Sequence, residues 1–235
     1  MDNQLAYDRV IAEDINDVGK EHKIVLDWVG DNKKVLEVAC HTGYVSAWLK
    51  KRGCIVTGAE IYGPALEKAK PYLHRAVLGN IEEEIVWAEI KQEKYDVVLF
   101  MHILEHLINP EIILEKTRNI LNPNGKVIIC LPNVSNWENR LEMFKGDFKY
   151  TDIGVMDKTH LRFFNYFTAI EFIEKAGFKV NRYSGLSWPI RFRLFKDVIF
   201  LSYINDYFNR FVHKITGPNF TDRITMFEIS LKSKA

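Results

Sequence analysis

Residues Lys34–Gly43 read KVLEVACHTG. Val35, Leu36, Val38 and Ala39 surround a single carboxylate, Glu37. The run Lys34–Ala39 is too short for an ordinary helix and too apolar for a strand with one wet face. It reads as a strand covered on both sides, running into a polar turn that ends on glycine. Outward from it, Tyr44–Lys51 has helical spacing and stops at Gly53, Cys54–Glu60 (CIVTGAE) is a second strand, and Pro64–Leu73 is a helix with Pro64 in its first turn. Strand, helix, strand in that order is the repeating unit of a parallel sheet.

The alternation continues. Arg75–Leu78 is a short third strand. Tyr95–Met101 (YDVVLFM) is a continuous apolar strand, and Pro110–Leu121 is a helix closed by the turn Asn122–Gly125. Lys126–Leu131 (KVIICL), Phe178–Tyr183 and Ile224–Lys232 complete seven strands, with a helix at Thr168–Ala176 and another predicted within residues 8–30. The expectation is one α/β domain: a Rossmann-like, doubly wound, mainly parallel seven-stranded sheet whose last strand is antiparallel, plus an aromatic helical insertion. Its parts are a helical cover at 1–32, a cofactor-binding core at 33–184, an insertion at 185–222 and the last strand at 223–235. Pro132–Tyr166 and Gly185–Asp222 do not fit the alternation and read as irregular covers of an acceptor site.

Composition excludes other classes. Hydrophobic residues make up 47% of the 235, enough for a core, so disorder is set aside. Lys and Arg number 32 against 31 Asp and Glu, and a net charge of +1 argues against phosphate-driven nucleic-acid binding. Cys40, Cys54 and Cys130 are odd in number and without a CxxC pair, so they read as apolar fillers in a reducing compartment. The acidic start MDNQLAYDRVIAEDIND does not read as a signal peptide, and no stretch has the ~20 apolar residues a membrane span needs, so a cytoplasmic location is expected.

Ligands of open α/β sheets bind beyond the carboxyl ends of the strands, where strand order reverses. Glu37-Val-Ala-Cys-His-Thr-Gly43 stands at such an end. It resembles the acidic, glycine-rich first motif of class I S-adenosylmethionine-dependent methyltransferases, with Ala39 and His41 where that family usually has glycine. Glu60 follows 23 residues after Glu37, placed to accept both ribose hydroxyls of a nucleoside. Gly79-Asn80-Ile81 stands where the family contacts adenine, and the Asn80 oxygen can accept from an exocyclic amine. Met101-His102-Ile-Leu-Glu105-His106-Leu107 resembles the LEHL segment of the type-11 and type-23 methyltransferases, and Pro110, the turn at Asn122–Gly125 and KVIICLPN follow in the family order. The resemblance covers roughly residues 33–184. It implies S-adenosylmethionine as cofactor, S-adenosylhomocysteine as product, and a cofactor site of Glu37, Ala39, Cys40, His41, Gly43, Glu60, Ile61, Asn80, Ile81, Met101 and His102.

The run Gly146–Phe164 is similar to a subset of these enzymes that modify surface polysaccharides, lipids or natural products. In it Asp157, His160 and Arg162 are polar groups among aromatics, either a network that pins the insertion or part of the acceptor site. Methyl transfer needs alignment and an acceptor freed of its proton. His160 and His106 are the candidate bases, His160 first. His102, Glu105 and His106, at spacings of three and four, also suggest one helical face, and some relatives use a Glu-His pair with a distant His to hold a divalent ion. That metal reading is the less favoured beside one in which Glu105 and His106 cap the helix and brace the loop.

In the insertion, Ile199, Tyr203, Tyr207 and Phe211 recur every four residues with basic neighbours. This face packs on the sheet or a partner subunit, shapes the acceptor pocket, or lies on a membrane surface. The expected activity is methyl transfer, on oxygen ahead of nitrogen, to a small-molecule, glycan or lipid-linked acceptor by a monomer or homodimer. The alternative is a non-catalytic, degenerate methyltransferase fold kept for binding or regulation, since two glycines are lost. A nicotinamide-dependent dehydrogenase would want GxGxxG where AxHxGY stands. A nucleic-acid methyltransferase would want Asn/Asp-Pro-Pro-Tyr where MHIL stands.

Overall fold

A computed structural model describes residues 14–15, 18–187, 207 and 210–232. In chain order the elements are α1 (Lys20–Val29), β1 (Lys34–Val38), α2 (Tyr44–Lys51), β2 (Ile55–Glu60), α3 (Gly63–Ala69), β3 (Arg75–Leu78), α4 (Glu84–Ile90), β4 (Tyr95–Met101), α5 (Pro110–Thr117), β5 (Leu121–Pro132), α6 (Trp137–Phe144), α7 (Tyr166–Lys175), β6 (Phe178–Ser187) and β7 (Asp222–Leu231). The strands form one seven-stranded sheet in the order β3-β2-β1-β4-β5-β7-β6. β1 to β5 are mutually parallel where they pair, and β7 runs antiparallel to both β5 and β6. The expected mainly parallel Rossmann-like sheet with an antiparallel last strand is the one observed.

The period of two along β4 divides the core. Val97 and Leu99 face α1 and α2, packing with Val25, Leu26, Trp48 and Leu49, while Val98 and Phe100 face the other way, into Val86, Trp87, Ile113, Leu114 and Ile173 of α4, α5 and α7. All four β4 residues are fully buried. Burying each such side chain stabilises the fold by about 1.5–3 kcal/mol, so the central strands can carry almost no polar chemistry. Sequence order reverses between β1 and β4, and the register Val38↔Ala59 and Val38↔Phe100 brings the ends of β1, β2 and β4 level. A crevice must open there.

Several boundaries differ from the sequence reading. The helix expected within 8–30 is helical over Lys20–Val29, and residues 1–13 lie outside the described residues. The short helix α4 escaped notice because only Val86, Trp87 and Ile90 of its seven residues are buried, too few to show a period. The segment Pro132–Tyr166 is not wholly irregular: α6 lies inside it, capped by Asn136, whose side-chain oxygen accepts from the Glu138 and Asn139 N–H groups. The turn at Asn122–Gly125 loops out of β5 between the pairings Tyr95↔Leu121 and Val97↔Lys126. β6 runs on to Ser187 and β7 starts at Asp222, so the insertion is narrower than 185–222. Residues 210–216 are helical with Tyr207, Phe211 and Ile215 exposed, and the rest of the aromatic face, including Ile199 and Tyr203, lies outside the described residues.

Phe227 of β7 is fully buried, its ring 6.0 Å from that of Tyr166 and 5.5 Å from that of Tyr183. Phe227→Ala is expected to cost about 3–5 kcal/mol of stability in urea unfolding. A loss below about 1 kcal/mol would show that this aromatic cluster does not hold the antiparallel half of the sheet.

Candidate active site

The chain leaves β1 through a tight loop. Ala39, His41 and Gly43 all have positive φ, at 58°, 46° and 79°. The glycine-type conformation is therefore kept where glycine itself has been replaced, at a strain cost of about 1–2 kcal/mol per residue. Gly43 could not be replaced in the same way. It sits at the N-cap of α2, and a Cβ there would come within 3.0 Å of the Ala69 backbone in α3. Its missing side chain serves the packing of α3 against the loop.

Glu60, at the end of β2, is buried, and its two carboxylate oxygens accept from the His41 and Tyr62 N–H groups, each at 2.9 Å. It thereby ties the β1 loop to the β2 loop and stays at the rim of a cavity of about 240 Å³. That cavity is lined by Val38, Ala39, Ala59, Glu60, Ile61, Gly79, Asn80, Ile81, Glu82, Ile103, His106 and Leu107. The Asn80 side-chain oxygen accepts from the Glu82 N–H at 3.0 Å, closing a turn after β3. Glu82 was missed in the sequence. Its carboxylate takes the Ile108 and Asn109 N–H groups at 3.2 and 2.7 Å, so the start of α5 is served from 26 and 27 residues away. No local signal marks that, and it corrects the reading of Glu105 and His106 as helix caps.

Not every expected cofactor residue reaches the cavity. Cys40 is buried with Leu66 and Ala69, and burial pushes its thiol pKa up. Glu37 is buried beneath the loop, hydrogen-bonded by the Ser46 hydroxyl, and burial raises its pKa to about 7. Met101 packs with the α1 and α2 side of the core. His102, with φ 51°, turns away: Nε2 lies 2.5 Å from the Glu21 carboxylate of α1 and Nδ1 3.6 Å from that of Glu105. Burial works against the imidazolium, but the two carboxylates outweigh it and hold the pKa well above the usual histidine value.

The LEHL segment is a short 3-10 turn, Leu104–His106, so the helical-face argument that joined His102 to Glu105 and His106 fails. The third partner is His160 instead. The Leu161 and Arg162 N–H groups both donate to the Glu105 carbonyl, at 2.8 and 3.0 Å, and this staples the 146–164 run across the end of β4. The His106 and His160 rings then meet edge to face, 4.7 Å apart. Asp157 accepts from the Thr159 N–H and hydroxyl, and Arg162 donates to the Ile108 carbonyl at 2.6 Å. Asp157 thus closes a turn within the run, and Arg162 ties the run to the chain after β4.

Glu60, a cavity of about 240 Å³ at the strand ends and the left-handed loop after β1 stand where open α/β sheets bind their ligands. Residues 8–183 match the family model described as "Methyltransferase domain", and the chain belongs to that family. It is similar to "Ubiquinone biosynthesis O-methyltransferase" of Histophilus somni, 36% identical over 108 residues, covering 43% of this chain and 45% of that protein. The enzyme of the same description from Aeromonas salmonicida is 25% identical over 185 residues, covering 74% of this chain and 78% of that one. The chain thus spans just under half the length of the first curated relatives it matches. In fold it is similar to a SAM-dependent methyltransferase from Archaeoglobus fulgidus (TM-score 0.62, 14% identity, 89% of this chain and 90% of that one). It is also similar to the magnesium protoporphyrin IX methyltransferase of Synechocystis with bound SAH (TM-score 0.58, 13% identity, 91% and 83%).

The Ala39→Gly variant is expected to raise stability by about 1 kcal/mol in urea unfolding, since it relieves a left-handed alanine; a loss would mean that the Ala39 methyl is needed in packing. For Glu37 the folded pKa, about 7, lies above the ordinary glutamate value of 4.5. The unfolded chain therefore ionises first, and stability falls as pH rises from about 4.5 to 7, by about 3 kcal/mol, then levels off. Glu37→Gln lacks this titration, so its stability relative to the parent protein is expected to improve across that window. A difference independent of pH would show that Glu37 ionises normally.

Proposed function

We propose that the protein transfers the methyl group of S-adenosylmethionine to an oxygen of a small-molecule acceptor, with glycans and lipid-linked molecules in the same class. One observation carries this reading: the cavity at the strand ends is lined by both Glu60 and His106, and His106 packs against His160. A nucleoside-binding carboxylate and a titratable acceptor-side pair thus share one crevice. The similarity to O-methyltransferases of ubiquinone biosynthesis supports oxygen as the acceptor atom.

The residues fit the cofactor. Each Glu60 oxygen keeps a lone pair beyond the one used by a backbone N–H, so the carboxylate can accept ribose hydroxyls. Ile61 and Ile81 offer apolar faces at the cavity, and Asn80 and Gly79 border it. When bound, S-adenosylmethionine supplies a methyl group already activated by its sulfonium, so the protein has to align the acceptor and let its proton go. Burial pushes His160 below the ordinary histidine pKa, which favours the uncharged ring, the form able to accept a proton. A non-catalytic role is disfavoured because the loop keeps its left-handed geometry despite Ala39 and His41. No helix among the described residues is long and apolar enough to cross a membrane.

Titration calorimetry with S-adenosylmethionine and, separately, with NADH tests the cofactor. Micromolar binding of the first alone is expected, and Glu60→Ala should weaken it more than about tenfold, or 1.4 kcal/mol. Equal affinity in the variant would remove Glu60 from the ribose role, and binding of neither compound would bring the regulatory reading forward.

A further inference from the structure

We propose that α6 is a self-association surface, along which two copies of this chain pair antiparallel. α6 (Trp137–Phe144) contains no buried residue. Helices shorter than about 12–15 residues are marginal in water unless something packs on them. Yet α6 carries large apolar side chains: Leu141 and Met143 are each 44% exposed, and Phe144 is 90% exposed. Phe148, Tyr150 and Ile153, which follow it in the chain, are each more than half exposed. A run of exposed apolar groups this dense marks a contact surface.

The pattern along α6 selects the occupant. Trp137, Leu141 and Phe144 stand at spacings of four and three, so they share one face of the helix. Trp137 is half-buried at the root of that face, and Leu141 and Phe144 carry it outward. Beside them the charges alternate in sign: Glu138, Arg140, Glu142 and Lys145. When two copies cross antiparallel at Leu141, Arg140 comes opposite Glu142 of the partner subunit. Glu138 then lies near Lys145 of the partner subunit, and the two-fold axis repeats both contacts. In a parallel pair each residue would face its own copy, and like charges would meet.

The charged groups are free to make these contacts. Glu142 and Lys145 now bond to each other at 2.7 Å with both side chains about half exposed, and Glu138 lies 3.7 Å from Arg223. Arg140 donates from Nε to the Ser135 carbonyl at 2.6 Å, which leaves its other guanidinium N–H groups for an acceptor across the interface. Exposed ion pairs hold weakly, so they can re-form between copies.

A lipid surface suits this face less well. Residues 137–163 contain five basic and five acidic side chains. Lys145, Lys149 and Lys158 each pair with an acid of the same segment, Glu142, Asp147 and Asp152. Anionic lipid therefore meets no net positive charge here. α6 leads directly into the run that carries His160, so pairing holds that run at its outer end. The association itself does not depend on the methyl-transfer reading.

Analytical ultracentrifugation of the full chain, from about 1 to 100 µM, tests the surface. A reversible dimer with a micromolar Kd is expected. Phe144→Glu should weaken it at least about tenfold, whereas Phe211→Glu, on the exposed helix at 210–216, should leave it unchanged. Glu142→Lys and Arg140→Glu should each dimerise more weakly alone, because like charges then face each other across the two-fold axis. An equimolar mixture of those two variants should regain the parent affinity as a heterodimer, since each supplies the charge the other lacks. S-adenosylmethionine calorimetry on every variant checks that it remains folded. A monomer at all concentrations, a dimer indifferent to Phe144→Glu, loss of the dimer in Phe211→Glu, or a mixture no tighter than its components would each overturn the proposal. So would a monomer that binds vesicles of anionic phospholipid through Phe144, which would give the face to a membrane.

Discussion

The central strands of this sheet are covered on both faces, so polar groups can appear only where the strands end. β1 and β4 lie side by side with Leu36, Val98, Leu99 and Phe100 fully buried, and the chain must turn out sharply at their carboxyl ends. It does so through left-handed residues: Ala39, His41 and Gly43 after β1, and His102 after β4. Three of the four are not glycine. Strain of this kind persists only where surrounding structure over-determines it, and such places tend to be functional. Here the over-determination is visible, since Glu60 holds the His41 N–H and Glu21 holds the His102 ring.

The same constraint leaves four buried acidic groups near the carboxyl ends of the strands, each handled differently. Glu37 is buried under the loop against Ser46 and takes up a proton readily. Glu60 is satisfied by two backbone N–H groups and remains at the cavity rim. Glu21 is matched with His102, while Glu105, fully buried, has no hydrogen bond of its own. Burial alone would make all four carboxylates costly. Their different partners separate them into one that favours its neutral form, two that are answered by donors, and one that has only the His102 ring near it.

The family and the order of the elements were legible in the sequence because both rest on local signals. Apolar runs of five to seven residues at β1, β2 and β4, helices between them, and the Asn-Pro-Asn-Gly turn near the start of β5 each declare themselves within a few residues of chain. Glu60 and Asn80 could be placed at the cavity rim for the same reason, because a residue just after a parallel strand must lie at its carboxyl end. α4 and α6 were harder to see: one buries three residues and the other none, and without a buried face a helix leaves no period to read.

What only the tertiary structure decided is which of these ends meet. His102 pairs with Glu21 across 81 residues, Glu82 serves the start of α5, and the backbone at 161 and 162 grips Glu105 so that His160 reaches His106. The sequence spacing had put His102 with Glu105 and His106, on a helix that is in fact a single 3-10 turn. Spacing along the chain describes one element at a time, and these contacts depend on strand order, on register and on a loop laid across the sheet's edge. By itself the sequence determined a covered parallel sheet and the carboxylates at its strand ends, because burial on two faces imposes a pattern on every strand. The fold alone settled the company each polar group keeps, because those neighbours come from segments that no local pattern connects.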